Sequence, residues 1–161
     1  TDLKAKVTIT IDSLKNFVSD SSFESGDIWK NTKWILEDTK SSLQIEKNKA
    51  NVHSENNSIS YWKDSNFNFK IYQKIDGLEN GTYKLSVWSM GEKGKKSLYL
   101  YSNNGSLENK TSVIDSGWSK WNKFEINNIN VVNGSLEIGI YGNCMSGDWG
   151  KIDSFELIRI K

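Results

Sequence analysis

The chain has no proline, one cysteine and one histidine among 161 residues. A lone Cys144 forbids an internal disulfide, so the fold has to be held by its core, and the thiol is expected to be packed or idle. With His53 as the only imidazole there is no histidine pair to ligate a metal and no obvious base beside a nucleophile. His53 is read as a surface or loop residue. No serine elbow is present, and no acidic residue sits in a recognisable hydrolytic motif, so no catalytic residue is assigned. No apolar run approaches a membrane span, and no signal-peptide pattern stands at the start. The 21 basic and 20 acidic residues are interspersed. There is no basic stripe of the kind nucleic acid requires.

Short alternating segments fill the rest. Val7, Ile9 and Ile11 alternate with threonines; Phe67, Phe69 and Ile71 alternate with Asn68, Lys70 and Tyr72; Tyr83, Leu85 and Val87 alternate with Lys84, Ser86 and Trp88. That period of two is a strand with one face on a core. Asp76-Gly77, Asn80-Gly81, Asn104-Gly105 and Asn133-Gly134 mark turns between such segments. Many short strands, turn signals between them and no long helical segment predict an all-β fold, a β-sandwich. The length suits one domain with a sizeable core. We divide it into residues 1–15, an N-terminal strand or linker remnant packing on the module, and residues 16–161, the module itself.

Seven tryptophans are the compositional excess. A core of this size uses three or four of them. An indole offers a stiff apolar plane on which the C–H face of a sugar ring can stack, while short polar side chains meet the hydroxyls. Trp88 shares the non-core face of its strand with Lys84 and Ser86. Trp62 ends a strand beside a polar loop, Trp34 follows a polar segment, and Trp149 lies in the glycine-rich Ser146–Gly150 loop. These four, with Glu92, Asn143 and Tyr99 as polar or aromatic neighbours, are the candidate ligand-binding residues. Trp29, Trp118 and Trp121 are read as structural, the last two covering the core edge.

The ends of the chain add a second pattern. Ser22-Phe23-Glu24 stands near the start and Ile152-Asp153 near the finish. A first and last strand lying side by side would bring Glu24 and Asp153 together, and two carboxylates so placed repel unless a hard cation such as calcium lies between them. The alternative is two ordinary turn acids in solvent.

Phe23-Glu24, Ser58–Trp62, the run from Gly81 to Gly91, Trp118 with Trp121, and Trp149 with Ile152-Asp153 resemble the galactan-binding carbohydrate-binding modules of family 61, from about Asn16 to Ile160. Several of these pieces are shared with families 4, 16 and 22 of the galactose-binding-like β-sandwich superfamily. Where such a module often has Gln before the glycine closing the tryptophan strand, this chain has Met90. The resemblance implies a jelly-roll module without catalytic activity that binds β-1,4-galactan or a related galactose-rich polysaccharide. It implies attachment to a secreted bacterial endo-β-1,4-galactanase-type glycoside hydrolase, a monomeric state with no nucleic-acid or membrane partner, and a structural calcium held by Glu24 and Asp153. Ser22 and Asn48 are the further metal candidates. The competing expectations are a structural or interaction domain with every tryptophan packed, and a module of the same fold specific for xylan or β-glucan.

Overall fold

A computed structural model describes residues 14–30, 32–94 and 96–161. The strand expected over residues 6–12 therefore lies outside the described residues. Ten strands follow: β1 (Ile35–Glu37), β2 (Leu43–Glu46), β3 (Ser58–Trp62), β4 (Phe67–Asp76), β5 (Gly81–Gly91), β6 (Ser97–Asn103), β7 (Glu108–Ser112), β8 (Asn122–Val131), β9 (Ser135–Cys144) and β10 (Trp149–Arg159). The helical content among the described residues is one 3₁₀ turn, Lys49–Asn51. No described helix is long and apolar enough to cross a membrane.

The strands form two antiparallel five-stranded sheets, in the orders β1-β4-β9-β6-β7 and β2-β3-β10-β5-β8. This is the β-sandwich that the alternation predicts. Side chains at every second position close the core: Phe69 and Ile71 from β4, Tyr83, Leu85 and Val87 from β5, Leu98 and Leu100 from β6, and Ile152 and Leu157 from β10 are all buried. Cys144 is buried too, and burial pushes its thiol up to about 12, so it packs as a small apolar group. The one strand without a sequence signal is β7. Glu-Asn-Lys-Thr-Ser has no apolar residue, because an edge strand paired on one side with β6 need not contribute to the core.

Two local irregularities matter. The pairing of β10 with β5 shifts register between Asp153 and Glu156, and Ser154 there adopts a left-handed φ of 55°. The bulge turns Phe155 inward against Phe23 and Trp34. Alongside it runs the N-terminal segment, with the Phe17 amide donating to the Leu157 carbonyl and the Phe155 amide to the Ser21 carbonyl. The start of the described chain thus lies beside the last strand.

Candidate functional site

The register of the second sheet decides what stands on its outer face. Trp62 pairs with Trp149, Ser60 with both Lys151 and Gln44, and Lys151 with Met90. Directly opposed residues in antiparallel strands point to the same side with Cβ atoms about 4.5–5.5 Å apart. Trp62 and Trp149 therefore stand side by side at the end of the sheet. Trp62 is 52% exposed and Trp149 half-buried. Next to them the Lys151 ammonium donates to Ser60 Oγ at 2.7 Å and pairs with Glu46 at 3.2 Å. Burial opposes ionisation of Glu46, but the Asn48 amide and the Lys151 and Asn51 side chains together hold its carboxyl below the usual range.

The loop before β8 folds over the same face. The Ser119 amide reaches Met90 Sδ at 2.9 Å, and Trp118 Nε1 donates to Asn51 Oδ1 at 3.1 Å. Trp118 is 60% exposed. This corrects the expectation that it covers the core edge: its indole N–H anchors the ring to Asn51 outside the sandwich. Three indoles thus border a polar strip that holds Ser60, Lys151, Glu46 and Asn51, with Met90 among them.

Beneath this end of the sheet lies a buried ion pair. Lys96 donates to Asp115 Oδ2 at 2.8 Å with both side chains almost wholly enclosed, and donates also to the Trp149 carbonyl at 3.1 Å. Ser89 Oγ satisfies the other Asp115 oxygen at 2.7 Å. Gly91 makes room for the pair, since a Cβ there would lie 2.6 Å from Asp115 Oδ2 and 2.8 Å from Lys96 Nζ. The network ties the β5–β6 loop to the backbone of Trp149. Glu92, at the start of that loop, is raised by burial and by the adjoining Asp148 carboxylate. Of the expected ligand residues, Trp62 and Trp149 are paired on this face, and the Glu92 amide donates to the Trp149 carbonyl at 3.4 Å.

The others lie elsewhere. Trp88 stands on the same outer face but farther along β5, paired with Asp153 and Lys123. His53 stacks on it with centroids 4.1 Å apart, and Trp121 meets His53 edge-on at 5.4 Å. One face of the Trp88 indole is thereby taken by the chain itself, and the rest borders a hydroxyl-lined cleft with Ser22, Ser54 and Ser154. Trp34 is corrected outright. It is 5% exposed, its Nε1 donates to the Asp20 carbonyl, and its ring packs on Phe23 and Phe155, so it offers no plane to a ligand. Tyr99 and Asn143 belong to the outer face of the other sheet, on the far side of the sandwich.

Glu24 and Asp153 do approach one another. Asp153 is fully buried and accepts from the His53 and Ser54 amides at 2.9 and 3.0 Å; Glu24 accepts from the Asn56 and Asn57 amides at 2.9 and 2.8 Å. Both carboxylates thus grip the 53–57 loop. Burial first, and the Glu24 charge as well, push the Asp153 carboxyl up to about 6. Ser22 is tied in through Ser54, at 3.1 Å. Asn48 is not: its Oδ1 caps the 3₁₀ turn by accepting from the Ala50 amide. Among the described residues no cluster of three or more His, Cys, Asp or Glu side chains forms a metal site.

Comparison with known proteins places this geometry. The solved structure of TmCBM61 in complex with β-1,4-galactotriose superposes with a TM-score of 0.82 at 30% identity, covering 91% of this chain and 99% of that one. The chain belongs to carbohydrate-binding module family 61. Two more distant solved structures share only the fold: a family 16 carbohydrate-binding module (TM-score 0.60, 13% identity, 89% of this chain and all of that one) and a xylan-binding family 22 domain (0.60, 11%, 92% and 96%). No family model matches the chain, and no curated protein does. The family 61 resemblance read from the aromatic motifs is thus borne out by the structure, although the motifs alone did not reveal that Trp118 is exposed. The signal that could have found it was Gly117, whose presence before the tryptophan marks a loop rather than a strand.

Proposed function

We propose that this family 61 module binds β-1,4-galactan, without catalysing any reaction, through the indoles of Trp62 and Trp149. The observation that carries the reading is their pairing on a solvent face, with the Lys151–Ser60 pair beside them. Each indole gives one sugar ring an apolar plane, worth ~25 cal/mol per Å² removed from water. Lysine, serine and carboxylate groups then satisfy the hydroxyls that stacking leaves exposed. The galactotriose bound by the similar family 61 structure supports galactan as the polymer. The site is shallow, so affinity for a flexible chain is on the order of 10–100 µM.

Glu24 and Asp153 fit a structural calcium. Two carboxylates approach, one of them fully buried, and no described lysine or arginine forms an ion pair with either. Hard oxygens from these two acids, from Ser22 and from main-chain carbonyls are the ligand chemistry calcium prefers. The ion would fasten the N-terminal segment and the 53–57 loop to β10. In the cell the module would be part of a secreted bacterial endo-galactanase-type hydrolase and raise its concentration on the polymer.

The test is affinity electrophoresis through gels containing galactan, arabinoxylan or mixed-linkage glucan. Galactan should retard the wild type, and Trp62→Ala should weaken that retardation at least tenfold with an unchanged melting temperature. Unaltered retardation in the variant would overturn the assignment of the site; retardation by another polymer alone would move the specificity.

A further inference from the structure

We propose that Asn133 is a site of spontaneous deamidation in the folded protein, where water converts its carboxamide to a carboxylate, in part through an isoaspartyl linkage. The sequence Asn-Gly-Ser-Leu-Glu occurs twice, at residues 104–108 and 133–137. The reaction starts when the amide nitrogen of the following residue attacks the asparagine carboxamide carbon, and a glycine there leaves the approach open. Two identical segments share one intrinsic reactivity, so only their surroundings can separate them.

Those surroundings differ. In the β6–β7 turn the Gly105 amide, the nucleophile of the reaction, donates to Asn103 Oδ1 at 2.8 Å. Asn104 Oδ1 accepts from the Ser106 and Leu107 amides at 3.0 and 2.8 Å, and its Nδ2 donates to the Asn130 carbonyl at 2.9 Å. Ring closure there must first break these bonds by a local opening. In the bend between β8 and β9, Asn133 is exposed, and among the described residues no hydrogen bond holds its carboxamide or the Gly134 amide. The third Asn-Gly pair, Asn80-Gly81, is enclosed. Arg159 donates to the Asn80 carbonyl at 2.8 Å, and Gly81 opens β5 with the Lys161 carbonyl where a side chain would stand.

The step balances with water as the one co-reactant. The Gly134 nitrogen gives up its proton and bonds to Asn133 Cγ; the Cγ–Nδ2 bond breaks, and Nδ2 leaves with a proton as ammonia. Water then adds to one of the two carbonyl carbons of the cyclic imide. Opening at Cγ leaves an aspartyl side chain. Opening at the main-chain carbon routes the backbone through the side chain and lengthens it by a methylene. The bend is fastened at two points, with the Leu78 amide donating to the Gly134 carbonyl at 2.9 Å and Ser135 Oγ to Asp76 Oδ1 at 2.8 Å. A longer backbone shifts both. One more acid beside the 21 basic and 20 acidic residues also takes the formal net charge from +1 to zero. That removes a repulsion that opposes self-association.

Nothing in this chemistry depends on the ligand the module binds. The test ages the wild-type protein in mildly alkaline buffer, folded and in urea, and follows both segments by tandem mass spectrometry of tryptic peptides. In the folded protein Asn133 should convert at least about tenfold faster than Asn104; in urea the two should convert alike. Native gels of the aged folded protein should show a second band nearer the anode. Asn133→Gln should lack that band, and Asn133→Asp should run with it from the start. An Asn133 still intact in the folded chain after the unfolded chain has reacted would overturn the site. Equal rates in the folded protein would do the same, as would a difference that persists in urea, since the fold would then not be its cause. An anodic band that remains in Asn133→Gln would also overturn it, placing the reaction at another residue.

Discussion

Trp34 and Trp62 show how little an isolated tryptophan says about its role. Both adjoin short strands and polar loops, yet one is 5% and the other 52% exposed. Trp34 fills the space between Phe23 and Phe155, at 5.1 and 4.9 Å. Trp34→Ala should therefore cost about 3–5 kcal/mol, read from urea unfolding, while galactan retardation of the folded fraction stays as in the wild type. A loss of binding without a loss of stability would show that the ring has a ligand role after all. The difference was not legible from the chain, because burial of Trp34 depends on the β10 bulge that turns Phe155 inward, a residue more than a hundred positions away.

At the scale of elements, the strands were legible wherever apolar residues alternate, and β5 is the clearest: Tyr83, Leu85 and Val87 are buried while Trp88 faces outward, as the pattern requires. The polar strand β7 and the loops were not. The loop between β5 and β6 is fixed by the Lys96–Asp115 pair, and no spacing rule pairs those two residues. Lys96→Met should leave Asp115 buried without its cation and destabilise the fold by about 3–5 kcal/mol. The double change Lys96→Met/Asp115→Leu should recover much of that loss, because it removes both charges together. Chemical denaturation of the three proteins measures this. If the single variant is as stable as the wild type, the pair does not hold the loop.

For the whole molecule the decisive feature is the junction of the segment around Glu24 with β10. Without a cation, the folded protein holds the Asp153 proton more tightly than the unfolded chain does, because its carboxyl is raised from 3.8 to about 6. The contribution of Asp153 to stability should then fall as pH rises through that interval, by up to about 3 kcal/mol, and level off above it. Bound calcium favours the ionised carboxylate and should cancel the fall, with its stabilisation growing toward neutral pH. Melting curves across this range, with chelator and with excess calcium, should diverge as pH increases. Curves that coincide near neutrality would rule the ion out.

By itself the sequence determined the period of the strands, hence the sandwich, and it carried the aromatic motifs whose resemblance implies a carbohydrate-binding module. Those are read from local alternation and short motifs, which each segment carries within itself. The tertiary structure decided which tryptophans reach solvent, that Trp62 and Trp149 are neighbours, that the expected ligand residues divide between two opposite faces, and that Glu24 meets Asp153. Each of these depends on register between strands far apart in the chain, and a shift of one residue would have sent every side chain of a strand to the other face.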